Sequence, residues 1–404
     1  MLPDSTSSNG NSLVRKATSF LLVIIMISSG CLSEQDNVES EEQTIEESIP
    51  ERNPELEQEE IIDIQGSEFC DDTNTDHCMM PFPSGAFLSV DSSEITGYSL
   101  KIDGEAIPDT ASSESENMLI LDRLDGFSPS TQIFTTFEST PDLDGMATQF
   151  NISRSVEDDH SSILLNMDTG EKVHHWIELD ARSQEGEPTI LFLRTIEGLD
   201  HNAAYAVAFR SLVDLEGEEI PPSDGFRALR DSINTSSEGI ENQRPDFESL
   251  FRNLQESGFK RSELQAAWWF HTASTESILA DLLIMRDDAE IRLGESGIGC
   301  SITEVQEDFA QDGTSLRLIR GTVTTPHYME TQYARSPLMR DSSGNPEFVQ
   351  NREIDFTMLI PKALAEDNES GPLTVFGHGL FGDGDSYAIN GRELANEYKT
   401  VVIA

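Results

Sequence analysis

Positive charge is what this chain has least of. Its 404 residues carry 26 Lys and Arg against 75 Asp and Glu, a formal net charge of −49 at pH 7. Phosphate backbones are gripped by Lys and Arg, so this balance excludes nucleic acid as a partner and makes anionic membrane surfaces poor ones. The acidic residues are spread along the whole chain, which fits either a salt-adapted surface or ordinary solubilising charge. The hydrophobic share, 37%, is low but enough for real cores. The length suggests two to three domains. Long apolar runs are missing too. The strongest, Phe20 to Ile27, is too short to span a bilayer comfortably.

That run sits where an export signal belongs. Arg15 and Lys16 form a positive lead, and Ser28, Ser29 and Gly30 stand before Cys31. Small residues before a Cys resemble a lipobox, with Ser28 where Leu is usual. Residues 1–31 therefore read as a signal peptide ending at a lipidated Cys31, with a plain signal peptide as the alternative. Residues 32–65 are Glu-rich and nearly free of aromatics, the composition of an acidic tether that cannot bury a core. In an exported protein, Cys70 and Cys78 are a plausible disulfide closing a small polar loop. Cys300 is left over, as a buried thiol or one paired outside these residues. Three glycosylation-type sequons, at Asn151, Asn234 and Asn368, are short enough to occur by chance.

Residues 66–225 read as β-rich. Candidate strands are Ala86–Val90, Tyr98–Ile102, Gln132–Phe137, Thr148–Ser153, Ser162–Met167, His174–Leu179, Thr189–Arg194 and Ala204–Leu212. They are short, alternating or β-branched, and separated by Asp, Gly, Ser and Pro clusters. Asp168 to Gly170 looks like a hairpin turn between the strands on either side. This spacing argues for a β-sandwich. The order of elements from Ser161 to Phe226 resembles the Ig-like domains of microbial surface-layer proteins. Over 226–298 the period becomes helical, with candidates Phe226–Ile233, Phe247–Ser257, Ser262–Phe270 and Glu276–Leu293. Asp246 and Ser262 are the expected N-caps, and Gly258 and Gly294 the expected stops. Ala266 to Phe270, with Trp268 and Trp269, reads as a core contact in preference to a sugar or lipid groove.

Residues 299–404 return to strands at Leu316–Thr324, Ile354–Ile360 and Leu373–Phe376. A Gly-rich turn from Gly377 to Gly382, a helix over Tyr387–Tyr398 and a strand over Thr400–Ile403 follow. The turn carries the main chemical signal. Acyl transfer places charge on an oxygen, and rigid backbone N–H groups stabilise it. Leu380 is the expected oxyanion donor, with Gly377 and Gly379 permitting close backbone approach and unusual φ. His378 is expected to fix the loop and not to act as the base. Gly384 to Ala388 superficially resembles a nucleophile elbow, but no strand precedes it. Ser386 reads as a helix N-cap, and Asp383 and Asp385 as loop or capping residues.

No metal site is expected. Asp72 to Asp76 matches the first half of a calcium loop, but His77 stands where Gly is needed and Pro83 where Glu is. His174 and His175 are adjacent on a strand, so they face opposite ways and cannot chelate together.

Together these pieces resemble the large secreted α/β-hydrolase lipoproteins of bacteria and archaea, related to extracellular lipases with an N-terminal β domain. The resemblance rests on Met80 to Ser84, Leu124 to Pro129, the Ig-like stretch, Trp269 to Ala273, Met285 to Ala289 and Val375 to Gly382. It implies an α+β multidomain fold: an Ig-like β-sandwich, a helical linker, then the first strands of an α/β-hydrolase sheet. It implies a surface-anchored esterase or lipase without a cofactor, acting on an ester or lipid substrate. No Gly-x-Ser-x-Gly, triad acid or triad His can be assigned among these residues, so the nucleophile is expected beyond Ala404. The alternative is a non-catalytic surface lipoprotein that binds through its Ig-like domain.

Overall fold

The computed structural model describes residues 61–74, 77–103, 106, 123–183, 189–297, 299–333, 336–367 and 370–404. The export segment, Cys31, most of the tether and Asp76 lie outside the described residues. The protein is a mixed α+β molecule with several sheets and few helices. In chain order the first part runs β1 (Ile61–Ile62), β2 (Leu88–Val90), β3 (Tyr98–Leu100), β4 (Ile133–Thr135), β5 (Ser162–Asn166), β6 (His175–Leu179), β7 (Leu191–Thr195) and β8 (Ala204–Arg210). Then come α1 (Asp224–Arg230), β9 (Asn234–Thr235), α2 (Glu238–Glu256), β10 (Leu264–His271) and α3 (Thr275–Leu293). The rest runs β11 (Cys300–Glu307), β12 (Ser315–His327), β13 (Gln350–Pro361), α4 (Lys362–Asp367), β14 (Leu373–Val375), α5 (Gly384–Asn390), α6 (Arg392–Glu397) and β15 (Val401–Ile403). Among the described residues no helix is long and apolar enough to cross a membrane.

Two three-stranded sheets, ordered β10-β8-β5 and β4-β7-β6, share one apolar cluster. Strand alternation explains how. On β8, Tyr205, Val207 and Phe209 face this shared cluster, while Ala206 and Ala208 face a second one. The small alanines let helices come close. Phe226 and Leu229 of α1, and Ile240, Phe247, Leu250, Phe251 and Leu254 of α2, complete that second cluster. The result is sheet, sheet and helix around two cores.

The lead segment is tied into this body by polar groups. Cys70 and Cys78 are joined as a disulfide. Asp72 accepts from Ser237 Oγ, itself the N-cap of α2, and from the Ser67 N–H. Asp71 accepts from Thr73 and Ser84, and burial raises its pKa.

Several expectations are corrected here. Thr148–Ser153 is not a strand. Asn151 Oδ1 accepts from the Thr148 N–H at 2.6 Å, and a 3₁₀ turn covers Ile152–Val156. The Asn side chain offers the backbone an alternative to pairing. Ser262–Phe270 is not a helix capped by Ser262 but the strand β10, buried on both faces. A short, fully apolar run is ambiguous by period, and its aromatics favour the strand. α2 starts at Glu238 with Ser237 as its N-cap, so Asp246 caps nothing, and the helix runs on through Pro245, with Ile240 of its first turn in the core. The turn at Asp168 to Gly170 forms, with the Gly170 N–H on Asn166 O at 2.8 Å. Its strands then part: β5 pairs with β8, and β6 with β7.

Besides two two-stranded sheets, β1-β9 and β2-β3, a five-stranded sheet has the order β11-β12-β13-β15-β14. β11 went unread in the sequence, being polar and exposed along most of its length. It begins at Cys300, which is an exposed free thiol and so not a buried one. β14 and β15 are parallel, with α5 and α6 as the crossover between them. The expected single helix over Tyr387–Tyr398 is two, broken at Gly391. Leu318 and Leu359 pack with Ala395 in a small third core. Register puts Ile319, Ile354, Phe356, Met358, Val401 and Ile403 on the opposite face, and none of them is buried.

Candidate functional site

The loop that follows β14 leaves the carboxyl end of a parallel strand, the position where open α/β sheets bind ligands. Phe376 N–H donates to Ile403 O at 2.7 Å, so the loop starts in register with the end of β15. The Phe376 ring stacks on Tyr387 with centroids 5.3 Å apart. A tight turn follows, closed by the Gly382 N–H on Gly379 O at 3.0 Å. His378 Nδ1 also donates to Gly379 O at 3.0 Å, so the imidazole braces the turn. The N–H groups of Gly377, His378, Gly379, Leu380 and Phe381 have no acceptor among the described residues.

Which glycines matter differs from expectation. Gly377 has open space about it and neither it nor Gly379 takes a positive φ. The constrained one is Gly382, where a Cβ would sit 2.6 Å from the Tyr387 ring. The left-handed position is held instead by Phe381, at φ 61° and 97% exposed. A bulky residue there is strained and uncommon outside turns and working sites.

Behind the loop, the N-cap of α5 is Asp383 and not Ser386. Asp383 Oδ1 accepts from the Ser386 N–H at 2.8 Å, and that bond holds its carboxyl below the usual range. Asp385 is neither a cap nor a loop residue. It grips Arg320 of β12 with both oxygens, at 2.7 and 3.1 Å, and accepts from Thr357 Oγ1 at 2.8 Å. The guanidinium lowers the Asp385 pKa, and Asp385 with Glu304 raises that of Arg320. This network fixes the start of α5 against the sheet, and no local sequence signal announces it.

Leu380 and His378 are brought together in one loop, and both are exposed. The disulfide pair lies in the lead segment of the first part, and Cys31 is outside the described residues. Among the described residues no cluster of three or more His, Cys, Asp or Glu side chains could hold a metal ion.

Sequence reasoning missed a buried Ser–His pair. Ser162 Oγ lies 2.9 Å from His175 Nε2 and 3.1 Å from His160 Nδ1, and all three residues are buried. His175 Nδ1 lies 2.8 Å from Val173 O, so Nε2 is the acceptor for the Ser162 hydroxyl. His160 Nε2 accepts from the Ala147 N–H at 2.9 Å. Burial lowers both imidazole pKa values, that of His175 to about 3. No substrate reaches this pair, and no carboxylate orients it; it serves packing. His174, its sequence neighbour, is exposed, as strand alternation requires.

No family model matches the chain, and no curated protein matches it. The site's chemistry therefore rests on its own geometry.

Proposed function

We propose that residues 299–404 form the opening of an α/β-hydrolase domain, and that this chain is the N-terminal portion of a surface-anchored serine hydrolase of carboxylic esters. The β-rich part would be its Ig-like domain. The observation that carries this reading is the run of five N–H groups with no acceptor among the described residues at the carboxyl end of β14. Such donors, aimed at a developing oxyanion, stabilise acyl transfer. The parallel β14-helix-β15 unit, set beside the antiparallel β12 and β13, adds support.

In this mechanism a Ser beyond Ala404 attacks the ester carbonyl, with its own acid and His there. The carbonyl oxygen takes the charge and accepts from the Leu380 N–H. His378 holds Gly379 O and takes no proton from the nucleophile. The Arg320–Asp385 pair keeps α5, and with it the loop, in place. Export and lipidation at Cys31 belong to the same proposal, and absence of fatty-acid labelling on Cys31 would remove the anchor from it.

The test uses the intact gene product, a fluorophosphonate probe and short p-nitrophenyl esters. Covalent labelling and turnover are expected. Leu380→Pro, which deletes the N–H, is expected to lower turnover by about 10²–10³ while labelling persists more weakly. No label and no turnover would sink the enzyme reading and leave a non-catalytic surface lipoprotein.

A further inference from the structure

The first region, which runs through β10, meets residues 300–404 at a joint that no apolar core crosses. The two clusters of the first region end at Phe270, and the third begins at Phe309. Among the described residues no sheet mixes strands from the two sides. α3 bridges them. It has no buried residue, although Ile278, Leu279, Leu282, Leu283, Ile284 and Met285 are apolar. Small polar joints leave domains free to move, and a large apolar interface is what prevents it.

Polar contacts hold α3 instead. At its start the Ser274 N–H donates to Asp125 Oδ1 at 2.9 Å, and the Asp125 N–H donates to Ser277 Oγ at 3.1 Å. Towards its end Tyr328 Oη donates to Asp288 Oδ2 at 2.8 Å and lies 3.1 Å from Met285 O. Asp125 belongs to the first region and Tyr328 to the connection between β12 and β13, so the helix is pinned once to each side.

Between the pins lies Asp281. Arg340, from the same β12–β13 connection, grips both its oxygens, at 3.0 and 2.7 Å. Such two-point pairs are the strong and directional kind of polar contact. Arg123, from the first region, stands 3.7 Å from this carboxylate and donates to Gly344 O at 3.0 Å. Arg340 donates to that carbonyl too, at 2.8 Å. One carboxylate and one carbonyl thus gather guanidinium groups from opposite sides of the joint. The Arg340 bonds, with the Arg123 charge beside them, lower the Asp281 pKa and keep it ionised. A cleft of about 390 Å³ opens beside these groups, between Ile95 and Leu124 on one side and Arg340 on the other, and leaves room for movement.

We propose that α3 is the hinge arm between the two regions and that Asp281, shared by Arg340 and Arg123, is the latch that keeps the joint closed. With the latch released, residues 300–404 turn about the Asp125 pin and carry the Gly-rich loop with them. This inference does not depend on the hydrolase reading.

The test measures a distance across the joint in the full chain by double electron–electron resonance. One spin label goes on Cys300, an exposed free thiol at the start of β11. The other goes on Glu171→Cys, at an exposed position just past the Asp168–Gly170 turn. Cys31→Ser removes the remaining thiol, since Cys70 and Cys78 are bonded to each other. A single narrow distance is expected for this background. Asp281→Asn and Arg123→Gln are each expected to add a second distance and to raise the open fraction about tenfold. Arg340→Lys keeps the charge and loses the two-point grip, so it is expected to open the joint severalfold, and it serves if another variant fails to fold. Arg286→Gln, on the same helix but paired with its neighbour Asp287, is expected to change nothing. The inference is overturned by an unchanged distance in the folded latch variants, by equal opening in Arg286→Gln, or by a background already as broad as the variants.

Discussion

β8 and β13 are both central strands with antiparallel neighbours, and their surroundings differ. β8 has a sheet on one side and helices on the other, and every residue from Tyr205 to Phe209 is buried. β13 is longer, yet its buried residues are only Thr357, Leu359 and Pro361, with Ile354, Phe356 and Met358 left partly or largely exposed on the other face. β13 is the less apolar strand, polar over most of its first half, and it also has less cover: the first region closes two cores, and residues 300–404 close one small one. Stability should therefore reside in the first region, while the loop with free N–H groups hangs on the thinner one. Sites tend to draw on the less stable parts of a fold.

Acid should break the contrast most strongly. His175 titrates near 6.5 unfolded and near 3 when buried, so its stability contribution is complete above pH 6.5 and is lost as pH falls toward 3. At about 1.4 kcal/mol per pH unit, the full loss is on the order of 4–5 kcal/mol. Urea unfolding of the β-rich region at stepped pH is expected to give this falling limb, and His175→Gln is expected to flatten it. An unchanged limb in the variant would assign the acid sensitivity elsewhere.

Core truncation comes next. Phe209→Ala empties the shared cluster between the sheets and is expected to cost about 3–5 kcal/mol. Met358→Ala, on the uncovered face of β13, is expected to cost only about 1 kcal/mol, because less area leaves water there. Equal costs by chemical denaturation would mean that this face is covered in solution.

The smallest effect has the opposite sign. Phe381→Gly relieves the left-handed backbone at φ 61° and gives up almost no burial, so a gain of about 1 kcal/mol is expected. Thermal melts of residues 300–404 should register it, and a loss of stability would mean that the exposed ring packs on something.

Much of this was legible in the residues. β5, β6, β7, β8, β12 and β13 announced themselves by alternation or β-branching, and α3 by its Gly294 stop, although its apolar residues form no buried face. The Gly-rich turn after β14 was visible as a strand stopping at a His-Gly pair. Other features were not. Trp268 and Trp269 lie on a strand buried on both faces, where no period survives to tell strand from helix. Ser162 and His175 meet across the hairpin of the Asp168–Gly170 turn, whose register, Leu165 with Lys172 and Leu164 with Val173, carries on to place 162 opposite 175, and burial of that pair depends on the second sheet closing over it. Arg320 and Asp385 are 65 residues apart, and each alone reads as solvated charge.

By itself the sequence determined the charge, the sites of the turns, and which segments could hide an apolar face, because these depend on neighbours within a few residues. Only the tertiary structure decided which faces are covered, which glycine of the loop lies against a ring, and where buried indoles and an exposed row of N–H groups find no partner among the described residues. Those outcomes depend on which distant strands pair and on how closely helices approach them.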